Sequence, residues 1–172
     1  MQLHDSDFDL FGVPARFAQD RAELDARWKE LQRQAHPDRF ASEGAAAQRL
    51  AMQWSVRINE AYQRLKDPLK RAAYLCELRG VPIRAQDNTA MPADFLMQQM
   101  AWREALEEAE TAPALQALLA DTASAHADLL DGLARALDGV GDVPQAAGLV
   151  RRLMFVERFA SEVEDRLDQV SV

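Results

Sequence analysis

The sequence predicts an all-α protein built as two helical units, a helical hairpin with short flanking helices followed by a three-helix bundle. Three observations carry this expectation. Apolar residues recur at helical spacing along both halves of the 172-residue chain. Gly and Pro number only seven each, too few for the turns of an all-β protein. The charge is also divided: residues 1–80 carry a net of +1 and residues 81–172 a net of −9, which together give the formal −8. The sign changes in residues 80–92, a stretch with Gly, Pro and no helical period. Domains at 1–79 and 93–172 joined by a linker at 80–92 follow.

Composition narrows the function classes. At 48% hydrophobic residues the chain can bury a core, which excludes global disorder. An acidic chain is poorly suited to nucleic acid, because phosphate neutralisation needs clustered Lys and Arg. A single cysteine excludes an internal disulfide framework and a Cys-based zinc site, and fits a reducing compartment. No apolar run approaches the length of a membrane span, and the acidic start lacks the features of a signal or transit peptide. A cytoplasmic protein with no membrane and no nucleic-acid partner is expected.

In the first half, a short helix runs from Phe8 to Gly12, stopped by Gly12 and Pro14. Asp20 is the N-cap of the next helix, with Glu23 at the capping-box position. Leu24, Trp28, Leu31 and Ala35 form a buried stripe at about 100° per residue, and Lys29 and Arg33 point away from it. That helix ends at Ala35 or His36, since Pro37 disfavours the α conformation before it. A third helix from about Ala45 to Leu65 lines up Leu50, Trp54, Ile58, Ala61 and Leu65. Asp67-Pro68 breaks it, and Pro68 opens a fourth helix through about Arg79. Two amphipathic helices around a polar turn pack as an antiparallel hairpin, with His36-Pro37-Asp38 displayed at its tip.

In the second half, helices are expected over 93–110, 113–138 and 143–170. Phe95, Trp102, Leu106 and Ala109 share one face of the first. Leu115, Leu118, Leu119, Leu129, Leu133 and Leu137 form the stripe of the second, and Leu149, Leu153, Val156, Ala160, Val163 and Leu167 that of the third. These stripes make a three-helix bundle. Leu96, Met97, Met100 and Glu104 fall on the opposite side of the first helix, and Phe155 lies about 110° from the stripe centre of the third. A solvent-facing Leu–Met–Met set suits an adaptable partner surface. It could also pack on the first domain or widen the core.

Taken alone, the residues give a helical hairpin with a displayed polar tip. In context they resemble a J domain. Phe11-Gly12-Val13-Pro14, then His36-Pro37-Asp38-Arg39-Phe40, then Asn59, Ala61-Tyr62, Leu65 and Asp67-Pro68 stand in the order that family uses. Over essentially the whole chain the sequence resembles the HscB-type J-proteins of iron–sulfur cluster assembly. Leu31-Gln32-Arg33-Gln34, Phe40-Ala41-Ser42 and the run Pro68 to Leu75 carry that narrower likeness.

The resemblance implies a bacterial, cytoplasmic, non-enzymatic co-chaperone with two partners. His36, Pro37 and Asp38, with Lys29 and Arg33, would engage a DnaK-type (HscA-like) chaperone and stimulate its ATPase. Lys29 and Arg33 could equally be an ordinary solvated helix face. Leu96, Met97, Met100, Glu104, Glu107, Glu108 and Phe155 would dock an IscU-type scaffold. Gln98 and Ala101 are uncharged, and Ala101 stands where a family member has an acidic residue, so the contact is expected to be more apolar. No cofactor, metal or catalytic residue is expected. His4, His36 and His126 are the only histidines, His126 fits a hydrogen-bonded boundary position, and Cys76 fits a packed one. Two rival readings are a J-domain adaptor for another client and a metal-dependent hydrolase. The absence of a Gly-rich phosphate loop leaves the ATPase to the partner.

Overall fold

The computed structural model describes residues 1–84 and 91–171. Every regular element among them is helical, so the protein is all-α as expected. The chain divides into two compact units, Met1–Leu75 and Cys76–Val172. The expected linker at 80–92 includes residues 85–90, which lie outside the described residues.

The first unit opens with α1, Asp7–Phe11. The Ser6 hydroxyl accepts from the Asp9 N–H at 3.1 Å, and Gly12 ends the helix at φ 64, a left-handed conformation that favours glycine. α2 spans Arg21–Ala35, and the Asp20 carboxylate accepts from the N–H groups of Ala22 and Glu23 at 2.9 and 3.4 Å. A 3-10 turn, Pro37–Phe40, leads toward α3, Ala45–Lys66, and Asp67 separates that from α4, Pro68–Leu78. The polar contacts of α2 with α3 pair Asp25 with Tyr62, Trp28 with Asn59 and Gln32 with Ser55, an antiparallel register.

Phe8, Phe11, Leu24, Ile58, Ala61 and Leu65 form the centre of this unit. Tyr62 stacks between Trp28 and Phe11, with ring centroids 4.9 and 6.5 Å away. Two expectations need adjustment. Trp28, Leu31 and Ala35 are half-buried, and on α3 Trp54 is half-buried while Leu50 is half exposed. Leu31 and Ala35 of α2 face Leu50 and Trp54 of α3 across an open groove that Phe40 of the 3-10 turn also lines, so neither set is fully covered.

In the second unit α5, Ala93–Glu108, and α7, Val143–Val170, run the same way, because Asp94 pairs with Arg152 and Arg103 with Glu162. α6, Ala112–Ala134, connects them in the opposite sense. The expected helix through residue 138 instead passes into a π-helical turn, Arg135–Val140, closed by Gly141 at φ 73. The wider turn lets the adjacent residues Ala136 and Leu137 both face inward, at 1% and 3% exposure. Its Leu137 carbonyl accepts from Arg79 at 2.8 Å.

The core of this unit gathers Phe95, Trp102 and Leu106 of α5, Leu115 and Leu118 of α6, and Val156, Phe159 and Val163 of α7. Replacing Phe159, which is fully buried, with alanine is expected to cost about 3–5 kcal/mol, read as an earlier urea midpoint for this unit.

Candidate functional site

Two surfaces carry the residues singled out from the sequence. The first is the bend after α2. His36, preceding a proline, leaves the helix at φ −60, ψ 129 and caps the 3-10 turn. Its Nδ1 accepts the Asp38 backbone N–H at 3.2 Å. A backbone N–H only donates, so Nδ1 carries no proton in this arrangement and Nε2 does. The ring therefore offers solvent an Nε2–H donor.

The His36 side chain is 58% exposed and that of Asp38 92%, with Nδ1 and a carboxylate oxygen 3.6 Å apart. The bend thus displays an imidazole N–H and a carboxyl group side by side, held by Pro37. Arg39 folds back to donate to the Arg33 carbonyl at 3.4 Å, one of the carbonyls left open at the end of α2.

The two cations of α2 are not equivalent. Both are exposed, but the Arg33 guanidinium lies on Glu30 with contacts of 2.7 and 3.0 Å. Arg33, then the Gln34 amide, hold the Glu30 carboxyl down to about 2. Arg33 is therefore charge-compensated at any working pH, and Lys29 is the more open of the two cations. The Glu30–Arg33 spacing of i, i+3 was the sequence signal for this pair.

The second surface is the outer face of α5. Leu96, Met97 and Met100 are 43%, 70% and 70% exposed, next to exposed Glu104, Glu107 and Glu108. Gln98 and Ala101 are exposed as well. Leu96 and Met100 line a shallow groove with Arg103, Glu104 and Glu107.

Phe155 does not project toward solvent as its angle on the helix predicted; it is 6% exposed. It meets Phe95 edge-on at 5.5 Å between centroids and stacks on Trp102 and Phe159 at 6.2 and 5.8 Å. The physical reason is that α7 buries two faces. The Leu153–Val156–Val163 stripe is one, and a second arc of Phe155 and Phe159 receives the aromatic residues of α5. The Arg103 guanidinium covers Phe155 and Phe159, and that of Arg152 covers Phe95, at 5.9, 5.5 and 5.2 Å from the ring centres. The helix that carries the Leu–Met face therefore packs on a buried aromatic layer flanked by two arginines.

The remaining candidates stand apart. His126 is a boundary residue whose Nε2 lies 3.0 Å from a Glu157 oxygen. Cys76 is buried, and burial raises its thiol above the usual range. Among the described residues no group of three or more His, Cys, Asp or Glu converges to hold a metal. None of the described helices is long and apolar enough to cross a membrane.

Comparison with known proteins fits this layout. Residues 91–164 match the family model described as the HSCB C-terminal oligomerisation domain. A co-chaperone protein HscB homolog of Burkholderia multivorans is 53% identical over 99% of this chain and 98% of its own length. Chaperone HscB from Vibrio cholerae superposes with a TM-score of 0.83 at 35% identity, covering 96% of this chain and 99% of that one. Human co-chaperone HscB gives a TM-score of 0.87 at 26% identity, covering 100% and 85%. With about half its residues shared along nearly its whole length, and the same fold in both solved structures, the chain belongs to the HscB family of co-chaperones.

Proposed function

We propose that the protein is a two-ended adaptor that brings an IscU-type iron–sulfur scaffold to a DnaK-type (HscA-like) chaperone and stimulates that chaperone's ATPase. The single observation that carries this reading is the pairing of two unlike exposed surfaces on separate units. A polar bend of His36, Pro37 and Asp38 sits on one, and a Leu96–Met97–Met100 face on the other. In this reading residues 1–79 act as the J domain and 93–172 as the scaffold-binding domain, joined through 80–92. The protein itself catalyses nothing, and the work takes place in the cytoplasm.

At the chaperone end Asp38 accepts from a partner cation, a charge-assisted contact, while the Nε2–H of His36 donates. Lys29 steers association toward an acidic patch, and Arg33 adds less because Glu30 already occupies it. At the scaffold end Leu96, Met97 and Met100 supply adaptable apolar area, with Glu104, Glu107 and Glu108 as a charged rim. Phe155 supports the face from beneath rather than making the contact.

The test of the chaperone end is steady-state ATP hydrolysis by a cognate DnaK-type chaperone with rising concentrations of the protein. His36→Gln or Asp38→Asn is expected to raise the half-stimulating concentration by about 10- to 100-fold, the loss of one hydrogen bond to a charged group. Circular dichroism should be unchanged, and thermal unfolding should move little, since both side chains are exposed and His36 gives up only one capping bond to a short turn. Undiminished stimulation would end this reading. Glu30→Gln provides the opposite change. Freeing Arg33 should speed association about twofold in low salt, and the gain should vanish at high salt. Stopped-flow association rates at two ionic strengths check this.

A further inference from the structure

Behind the bend, α2 is fastened to α3 by side chains that the proposed contacts do not use. The Trp28 indole N–H donates to Asn59 Oδ1 at 2.9 Å, and the Gln32 amide donates to the same oxygen at 2.7 Å. The Gln32 amide also donates to the Ser55 carbonyl at 3.1 Å, and its own oxygen accepts from the Ser55 hydroxyl at 2.8 Å. Every orientation here follows from the indole, which can only donate. It requires the Asn59 oxygen, that oxygen requires the Gln32 nitrogen, and the Gln32 oxygen is left for Ser55.

The row that Asn59 holds is the row that ends in the bend. Trp28, Gln32 and His36 are spaced i, i+4, i+8, so Trp28 and Gln32 share a face of α2 and His36, its C-cap, continues that row. A turn of α2 about its axis would break both bonds to Asn59 and carry His36 and Asp38 away from their present direction. Leu24 is buried and Trp28 stacks on Tyr62 at 4.9 Å, but Leu31 and Ala35, nearer the bend, are only half-buried, so apolar contact holds that end of α2 less firmly.

We propose that Asn59 is a positioning residue. By accepting from Trp28 and Gln32 it fixes the rotation of α2 that aims His36 and Asp38 at the chaperone. This rests on the reading of the bend as the chaperone contact.

Two near-isosteric substitutions separate the roles. Asn59→Leu removes the acceptor, whereas Asn59→Asp keeps an oxygen that can accept both bonds. Asn59 is exposed, so both variants are expected to fold. Asn59→Leu should raise the half-stimulating concentration about tenfold and leave maximal stimulation at saturation unchanged, while Asn59→Asp stays within about twofold of wild type. The indole N–H resonance of Trp28 in a 15N-labelled sample should move to a solvent-exposed position in the leucine variant and hold in the aspartate variant.

If Asn59→Leu stimulates at the wild-type concentration after the resonance has moved, the positioning role is wrong. It is also wrong if the aspartate variant is as impaired as the leucine one. His36→Gln, run alongside, separates the two levels: with that variant shifted to higher concentration as expected, a normal Asn59→Leu overturns the positioning role alone. With His36→Gln fully active, the reading of the bend fails and the positioning role with it.

Discussion

Asp7→Ala is expected to destabilise the first unit by about 3–5 kcal/mol, the range for breaking a buried ion pair by removing one partner. The Asp7 side chain is fully buried, with Arg57 Nη1 2.7 Å from one oxygen and the Arg64 guanidinium bonded to both. The Asp7 backbone N–H donates to the Tyr74 hydroxyl at 3.0 Å. Arg57 also donates to the carbonyls of Leu3 and Asp5, so one carboxylate organises the N-terminal segment on α3. Without it two guanidinium groups face each other. Arg64, 38% exposed, can turn to water; Arg57, 16% exposed, has little room to do so.

Urea unfolding followed by tryptophan fluorescence reads the loss as an earlier midpoint with an unchanged slope. The triple change Asp7→Leu, Arg57→Met, Arg64→Met should recover most of it, because the deficit comes from uncompensated charge rather than lost volume. A cost below about 1 kcal/mol for Asp7→Ala would show that the clasp is not what holds α1.

The second large effect concerns the scaffold end. Leu96→Ser, Met97→Ser and Met100→Ser together are expected to weaken scaffold binding about 100-fold, taking roughly 1 kcal/mol for each apolar side chain buried in the contact. All three are exposed in the free protein, so unfolding should be unaffected. Isothermal titration with an IscU-type scaffold gives the number, and unchanged affinity would leave the face without a scaffold role. Phe155→Ala is a different experiment. That ring lies among Phe95, Trp102 and Phe159, so removing it should cost about 3–5 kcal/mol of stability. Any loss of binding must then be separated from loss of fold.

The helices were largely legible because their ends are written in local chemistry. Asp20 caps, Pro68 starts, Gly12 stops, and Pro37 ends α2 at Ala35 as its effect on the preceding residue requires. Leu96, Met97 and Met100 were legible for a similar reason, since the opposite face of α5 is fully accounted for by Phe95, Trp102 and Leu106. Phe155 was not. A single stripe angle assumes one neighbour, and α7 has two. The π-helical turn at Arg135–Val140 was also missed, because an inserted residue changes the period without changing the composition. Arg33 shows a third limit. Its direction was readable from periodicity, but its charge is compensated by Glu30 one turn away, and that pairing decides how much of the cationic face is free.

The most direct test of the two-ended reading is one ATPase titration with three proteins, measured with and without an IscU-type scaffold. Wild type should stimulate a DnaK-type chaperone alone and stimulate it further when scaffold is present. The Leu96, Met97 and Met100 triple variant should match wild type alone and lose only the scaffold-dependent increment. Asp38→Asn should shift both to about 10- to 100-fold higher concentration. If the triple variant keeps the increment, or loses stimulation in the absence of scaffold, the two surfaces do not serve separate partners and the adaptor reading is wrong.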